Sequence, residues 1–318
     1  MNPIDHYGEP LVLRVNELFY DHENDDYRDV HEEMLGREGE RWRIRAERFF
    51  QFAGPATVID IGSGAGLVGM SIGSAMREDD RLICADLSGG MLEVARRNLQ
   101  RLKLRPALEF VKISGSLPYR LPFGDETADV VTMNSVLHHV KDTAGFLAEI
   151  DRILKPGGLV MIGHEPNRAF NRSWLLRLNY ALLRPLFIPK NFLKDLLLKT
   201  GLRAAAERLY YAVRPGKRRV AGEMLDRINA VLAEEKLFHR PLRLAEVALI
   251  TDIRDAEGFI GNTLLPDFEL VDFETYHPIS LISIKYGDTA FIGWLDRLLE
   301  RRYPTRGATF FAVYRKRK

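Results

Sequence analysis

The feature that most constrains the fold is a short apolar run that ends in a cluster of glycines. Residues 56–61 read ATVIDI, a β-branched stretch that is typical of a buried parallel strand. Four glycines follow: Gly62, Gly64, Gly66 and Gly69. Residues 66–76 are then predicted to continue as a helix. A strand, a glycine turn and a helix in this order aim backbone amides and a helix N-terminus at one point, which favours a bound ligand there.

The same alternation of strand and helix continues along the chain. Further strands are predicted at 81–87, 107–113, 128–135, 159–165, 268–276 and 308–316. Helices are predicted at 40–52, 90–102, 144–154 and 289–303. This pattern predicts the α/β class, with a doubly wound, mostly parallel sheet of seven strands and helices on both faces. In such sheets, ligands bind beyond the carboxyl ends of the strands.

Composition narrows the class of protein. The chain has 318 residues, 46% of them apolar and 28% charged, as in ordinary globular proteins. The one cysteine, Cys84, excludes a disulfide framework and any multi-cysteine metal site. Residues 1–10 lack the pattern of a signal peptide, and no apolar run reaches the length of a membrane span. We therefore expect a cytoplasmic protein.

Two ligands compete for the glycine turn. Gly64, Gly66 and Gly69 fit the G-x-G-x-x-G string of dinucleotide sites. However, the strand carries Asp60 two residues before the first glycine, and a carboxylate there would repel a pyrophosphate. A cofactor with a cationic sulfonium and an amino group would tolerate Asp60. The acid therefore favours a methionine-derived nucleoside, and a dinucleotide oxidoreductase is the remaining alternative.

Four motifs that follow one another along the chain support this interpretation of the glycine turn. They are VIDIGSGAG at 58–66, CADLS at 84–88, LPFGDETADVVTMNSVLHHV at 121–140 and ILKPGG at 153–158. Together they resemble the class I S-adenosylmethionine (SAM)-dependent methyltransferases, and most nearly the members that modify quinones and other small molecules. The resemblance covers about residues 40–165, with weaker support at 266–316. It implies the Rossmann-like methyltransferase fold, SAM as the cofactor and methyl transfer as the activity.

The resemblance also implies roles for individual residues. Asp60 would orient the glycine turn, Asp86 would accept hydrogen bonds from the ribose hydroxyls, and the backbone of Asn134 would lie near the methionine amino group. The remaining residues assigned to the cofactor are Gly62, Ser63, Gly64 and Gly66 in the turn, Leu87 and Met91 beside the adenine, Gly115 and Ser116 after the third strand, and Tyr27 over the site. Tyr20 is a further candidate cover, and a plain surface helix is the alternative for both tyrosines. The family commonly has Gly-Asp where Gly115 and Ser116 stand.

The candidate catalytic residues lie at the ends of the fourth and fifth strands. They are His138, His139, His164 and Glu165, with His277 as a weaker candidate. Methyl transfer from a sulfonium mainly needs alignment and exclusion of water, so a general base is required only where the acceptor must lose a proton. The alternative for His138 and His139 is a structural role in the turn. The spacing of these residues matches no standard zinc pattern, and no metal is expected.

Charge is distributed unevenly. Between residues 167 and 220 there are 13 lysines and arginines and two acids, although the net charge of the whole chain is +2. We interpret residues 167–250 as a basic, Leu-rich helical insertion that covers the mouth of the site. An anionic membrane surface, an acidic carrier protein or an anionic substrate would each suit this charge, and a lid whose charges simply meet water is the alternative.

These observations predict four segments. Residues 1–53 form an N-terminal helical arm, 54–166 the SAM-binding core, 167–250 the helical substrate lid and 251–318 the C-terminal part of the core sheet. The leading hypothesis is a SAM-dependent methyltransferase that acts on an oxygen or carbon of a small, largely apolar molecule that could be anionic, such as an isoprenoid, quinone, lipid or secondary metabolite. It would be cytoplasmic or peripheral to the membrane. The alternatives are an RNA or protein methyltransferase and a non-catalytic SAM-binding or membrane-docking module. Nucleic acid is not expected as a partner, because no aromatic-basic module is evident.

Overall fold

The computed structural model describes residues 7–23, 27–114, 119–187, 215–253, 257–286 and 289–318. Seven strands form one sheet: β1 (Thr57–Ile61), β2 (Arg81–Asp86), β3 (Ala107–Lys112), β4 (Ala128–Asn134), β5 (Leu154–Pro166), β6 (Phe268–Tyr276) and β7 (Thr309–Lys316). Their order is β3-β2-β1-β4-β5-β7-β6. Only β7 runs antiparallel to its neighbours. The prediction of a mostly parallel, doubly wound sheet of seven strands is confirmed.

Helices cover the sheet and its edges. In chain order they are α1 (Glu9–Glu23), α2 (Tyr27–Phe49), α3 (Leu67–Ile72), α4 (Gly89–Arg101), α5 (Thr143–Ile153), α6 (Arg168–Asn171), α7 (Trp174–Phe187), α8 (Pro215–Glu234), α9 (Leu244–Thr251), α10 (Leu281–Tyr286) and α11 (Ala290–Arg302). α3 is shorter than the predicted helix because its last turn tightens into a 3₁₀ turn at Gly73–Ala75.

The core lies on both faces of the sheet, as the alternation of side chains along a strand requires. Ile59 of β1 packs on one face with Ile83 and Val131 of the neighbouring strands. Val58, one residue earlier, packs on the opposite face. Because both faces of the central strands are buried, these strands read as unbroken apolar runs in the sequence.

Helix α2 ties the N-terminal part of the chain to the sheet. The indole of Trp42 is fully buried and its Nε1 donates to Oδ1 of Asn134 at 2.9 Å. Arg45 reaches Asp272 on β6 at 2.9 Å. The helix begins thirteen residues before the predicted start at residue 40 and ends at Phe49, three residues before the predicted end.

Two satellite clusters lie outside the sheet. One joins α1 to α8 and α9 through residues such as Val12, Ile228 and Ile250. The other joins α7, α10 and α11 through Leu176, Ile282 and Ile292. The central part of the predicted insertion, residues 188–214, lies outside the described residues. Within the described ranges, no helix has the length and apolar character needed to cross a bilayer.

Candidate functional site

The glycine turn after β1 forms the floor of the site. Gly62, Gly64 and Gly66 all have positive φ, at 65°, 50° and 90°. A Cβ at Gly62 would lie 2.5 Å from Cγ2 of Val136. No atom lies within 4 Å of the place where a Cβ of Gly64 would be, so that position opens into space. The turn therefore needs glycine for its backbone conformation and, at Gly62, also for close approach.

We expect Gly62→Ala to lower the free energy of unfolding by about 3 kcal/mol, because it adds a clash with the stiff Val136 side chain to the cost of a left-handed backbone. Gly64→Ala is the matched control. It has a similar φ but open space, so it should cost only about 1 kcal/mol. Denaturant unfolding of both variants makes the measurement. Equal losses would contradict the close contact between the turn and Val136.

Asp86 is fixed at the end of β2 by two backbone donors. Its Oδ2 accepts from the amide of Gly64 at 2.8 Å, and its Oδ1 accepts from the amide of Ser88 at 2.9 Å. Burial raises the pKa of this carboxyl, and the nearby Asp21 raises it further, against the opposing effect of the amides. Each oxygen retains a lone pair for a further donor. The geometry suits the grip on ribose hydroxyls that the family resemblance implies.

Asp60 is a second buried carboxylate beside the turn. Thr132 donates its hydroxyl to Oδ1 at 2.7 Å. Oδ2 has no hydrogen-bond partner within the described part of the chain. Burial, with a contribution from Asp86, raises the pKa of Asp60 to about 7. A ligand with a positive charge near this point would favour the ionised form, and the residues therefore fit a sulfonium nucleoside with an ammonium group.

A cavity of about 800 Å³ opens above the turn. This lies toward the upper end of the range of about 300–1,000 Å³ for small-molecule sites, so the cavity has room for a cofactor and an acceptor. Six residues predicted to bind the cofactor line it: Gly62, Gly64, Asp86, Leu87, Met91 and Asn134. Three others lie in or beside the turn but do not line the cavity: Asp60, Ser63 and Gly66. Gly115, Ser116 and the side chain of Tyr27 lie outside the described residues.

Helix α1 covers one side of the cavity. Asp21 accepts from the hydroxyl of Ser88 at 2.6 Å and from the amide of Gly90 at 3.1 Å, at the N-terminus of α4. Glu17 pairs with Lys112 at 2.8 Å. Tyr20 lines the cavity, as its candidate role as a cover requires. Asp21 and Glu17 were not predicted, because nothing in their local sequence distinguishes them from the other acids near the N-terminus.

The carboxylate of Glu165 contacts the ring of His138 and lies outside the cavity that this ring lines. Its carboxylate is fully buried and accepts from the amides of Val136 at 2.6 Å and Leu137 at 2.7 Å. Its Oε2 lies 3.0 Å from Nδ1 of His138, which lines the cavity. Glu165 itself does not line the cavity. The pair therefore presents an imidazole to the cavity and keeps the carboxylate beneath it.

His139 bridges two helices. Its Nδ1 bonds the carbonyl of Thr251 at the end of α9, and its Nε2 lies 3.2 Å from the hydroxyl of Tyr20 on α1. Burial lowers the pKa of His139 well below its usual value, and His138 lowers it further. The ring is thus neutral at pH 7, with a protein partner at each nitrogen. This arrangement supports the structural alternative for His139 more than a role as a base.

His164 lies over a buried carboxylate that the sequence did not single out. Glu38 of α2 is fully buried, and its Oε1 lies 3.2 Å from Nδ1 of His164 and 3.6 Å from Nε2 of His277. Tyr276 donates its hydroxyl to Oε2 of Glu38 at 2.9 Å and accepts from the amide of His164 at 3.0 Å. His164 also lines the cavity. Glu38 of α2, and Tyr276 and His277 at the end of β6, thus surround one face of His164.

Two histidines and an arginine surround the carboxylate of Glu38. Burial alone would raise the pKa of Glu38, but His164 and His277 outweigh it and hold that pKa well below its usual value. Nε of Arg41 lies 3.9 Å from Oε1 of Glu38. Donor atoms of Glu38, His164 and His277 lie within 4.8 Å of one another. The guanidinium already beside the carboxylate disfavours a further cation at that point.

His277 should make the fold sensitive to mild acid. Burial lowers its pKa from 6.5 to about 4, so between these values the unfolded chain takes up a proton that the folded chain resists. Stability should therefore fall as the pH drops below about 6.5, by about 2 kcal/mol at pH 5 from this residue alone. Glu38 does not confound the measurement, because a carboxyl with a lowered pKa loses its contribution only below about pH 4.5.

The variant His277→Asn tests this expectation, because asparagine tolerates the positive φ of 59° at that position. Unfolding free energies at pH 7 and pH 5 should differ less in this variant than in the unmodified protein. His239→Asn, at an exposed histidine, is the matched control and should leave the difference unchanged. An unchanged pH dependence in His277→Asn would contradict the prediction.

Comparisons with known proteins match the part of the chain that contains the glycine turn and Asp86. Residues 59–162 match the family described as a methyltransferase domain. A demethylmenaquinone methyltransferase of Symbiobacterium thermophilum is 30% identical over 175 residues, which are 55% of this chain and 67% of that protein. A ubiquinone/menaquinone biosynthesis C-methyltransferase of Klebsiella pneumoniae is 30% identical over 106 residues, which are 33% of this chain and 41% of that protein. A solved SAM-dependent methyltransferase from Aquifex aeolicus is 24% identical, with a TM-score of 0.32 over 38% of this chain and 62% of that one.

The chain belongs to the class I SAM-dependent methyltransferases. Its cofactor is SAM. The chain spans about two thirds of the length of the Symbiobacterium relative and less than half of the length of the Klebsiella relative.

Proposed function

We propose that the protein transfers the methyl group of SAM to an oxygen or carbon of a small, largely apolar molecule, with a hydroxylated ring of the quinol type as the favoured class. The observation that carries this proposal is the continuity of the cavity. It runs from Asp86 at the nucleotide end to His138 and His164 at the other end. Cofactor and acceptor can therefore occupy one continuous cavity, which direct methyl transfer requires.

The lining at the acceptor end supports the apolar class. Phe170, Tyr180 and Ile284 contribute apolar surface there, together with the two histidines. A cavity with mostly apolar walls and a few fixed polar groups suits a ring with one or two hydroxyls. The quinone-related names of the two relatives described above point in the same direction.

When bound, SAM supplies an electrophilic methyl group. Transfer would break the C–S bond as the new bond to oxygen or carbon forms, and the electron pair of the broken bond would stay on sulfur. A hydroxyl or an activated ring carbon must also lose a proton. We assign this proton to an imidazole at the acceptor end, with His164 as the first candidate and His138 as the second, because each ring lies over a buried carboxylate. Glu38 and Glu165 act as positioning residues.

We also propose the four-segment organisation for this activity. Residues 1–53 would cover the cofactor, 54–166 would bind it, 167–250 would form the substrate lid and 251–318 would complete the sheet. The contacts of Asp21 with the start of α4 support the first assignment, and the cavity-lining Tyr180 of α7 supports the third.

Incubation of the purified protein with SAM and a panel of acceptors tests the proposal. The panel would contain a short-tailed demethylated quinol, simple phenols, bulk RNA and a mixture of proteins. We expect mass spectrometry to detect one added methyl group on the quinol or a phenol. Methylation of only RNA or protein would overturn the proposed substrate class, and SAM binding without methylation of any acceptor would favour a non-catalytic module.

A further inference from the structure

Helix α7 carries an apolar stripe that faces solvent. Trp174, Leu178, Leu182 and Leu186 follow one another at intervals of four residues, and their exposed fractions are 73%, 44%, 64% and 75%. Residues at this spacing share one side of a helix. The opposite side is already buried, with Leu176 fully covered in the cluster that joins α7 to α11. The stripe is therefore a second apolar face that the core does not use.

Helix α11 carries a similar stripe. Phe291, Trp294 and Leu298 lie at intervals of three and four residues and are 54%, 54% and 49% exposed. Ile292 and Leu299 on its other side are buried in the same cluster as Leu176. Large apolar side chains exposed singly need no explanation, but two stripes on helices of one packed unit indicate an interaction surface.

The charges on these helices have one sign. The exposed charged side chains described on α7 and α11 are all arginines: Arg177, Arg297, Arg301 and Arg302. Arg172, just before α7, is also exposed. The acids of α11, Asp296 and Glu300, are partly buried. Exposed tryptophan and leucine flanked by arginine is the composition of helices that lie in the interface of an anionic bilayer.

Helix α7 and two of its neighbours, α6 and α10, also form a wall of the cavity. The cavity is lined here by Tyr180 of α7, Ile284 of α10 and Phe170 of α6. α7 thus has one residue in the cavity and a stripe of four on its outer face. A surface that rests on a bilayer at this point would place the acceptor end of the cavity close to the lipid.

We infer that the exposed faces of α7 and α11 dock on the surface of an anionic lipid bilayer, from which the apolar acceptor enters the cavity. The entry of the acceptor rests on the proposed function, whereas docking does not. Binding to vesicles therefore tests the surface independently of turnover.

The test is sedimentation of the full-length protein with vesicles of phosphatidylcholine alone or of an equal mixture of phosphatidylcholine and phosphatidylglycerol. We expect binding to the mixed vesicles that weakens as salt is added. The double variant Trp174→Gln/Trp294→Gln should bind the mixed vesicles at least about ten-fold more weakly, since each change removes a large apolar side chain from the interface. Leu102→Gln alters an exposed apolar residue just after α4 and is the matched control, which should bind normally.

Three results would overturn the inference. The first is equal binding of the double variant and the unmodified protein. The second is failure of acrylamide to quench the fluorescence of Trp174 and Trp294 in the absence of vesicles, which would mean that other parts of the protein already cover the stripes. The third is a dimer in analytical ultracentrifugation that the double variant abolishes, which would assign the surface to a second copy of the chain. If the unmodified protein binds the mixed vesicles but transfers no methyl group to any acceptor, that result would count against the proposed function and not against docking.

Discussion

Replacement of Asp86 by asparagine is expected to weaken the binding of SAM by about 100-fold or more. Both carboxylate oxygens accept a backbone amide, from Gly64 and from Ser88. An asparagine has one oxygen and one NH₂ group, so one of these amides would face another donor. The variant would also lose two charge-assisted hydrogen bonds to the ribose, each worth about 1.5–3 kcal/mol.

Isothermal titration calorimetry with SAM and with S-adenosylhomocysteine measures this effect. Asp79→Asn, at an exposed acid on the loop before β2, is the matched control and should bind both ligands normally. Thermal unfolding of the two variants would show whether Asp86→Asn still folds. A folded Asp86→Asn variant with normal affinity would remove Asp86 from the cofactor site.

Replacement of His164 by glycine is expected to lower kcat by about 10²–10⁴-fold, the usual effect of removing a general base. Glycine suits the φ of 54° at this position and leaves a space the size of the ring. The affinity for SAM should change little. Added imidazole should restore part of the activity in His164→Gly, because it can occupy the empty space and accept the proton.

Two further variants separate catalysis from structure. Glu38→Gln keeps the shape of the side chain but removes the charge beneath His164, and we expect it to lower kcat without changing the affinity for SAM. His239→Gly, at an exposed histidine, should leave kcat unchanged. If imidazole fails to restore His164→Gly and His138→Gly is restored instead, the base is His138.

The sequence was sufficient to predict the sheet and the nucleotide end of the site. β1, the glycine turn and Asp86 are adjacent or near in sequence, and the apolar runs of buried parallel strands are local information. The family resemblance assigned Gly62, Gly64, Asp86 and Asn134 to the cofactor, and they line one cavity because strand ends converge at one edge of the sheet. These features depend on backbone conformation more than on contacts between distant side chains.

The acceptor end could not be predicted in the same way. Glu38 lies 126 residues before His164 and 239 residues before His277, and only the packing of α2 against the sheet brings the three together. Nothing in the local sequence of α2 marks Glu38 among its many charged neighbours. The contacts of His139 could not be predicted either, because its two partners, Tyr20 of α1 and Thr251 of α9, are each more than 100 residues away in the sequence.

The polar contacts of α1 have a consequence for the order of events during turnover. The helix is held at the nucleotide end by Asp21 and at the acceptor end by Tyr20, so it spans both ligands. Spent S-adenosylhomocysteine would leave only after these contacts open, and fresh cofactor would enter through the same gap. Departure of this product would then be the slow step of the cycle, and a burst of methylated acceptor would precede the steady rate.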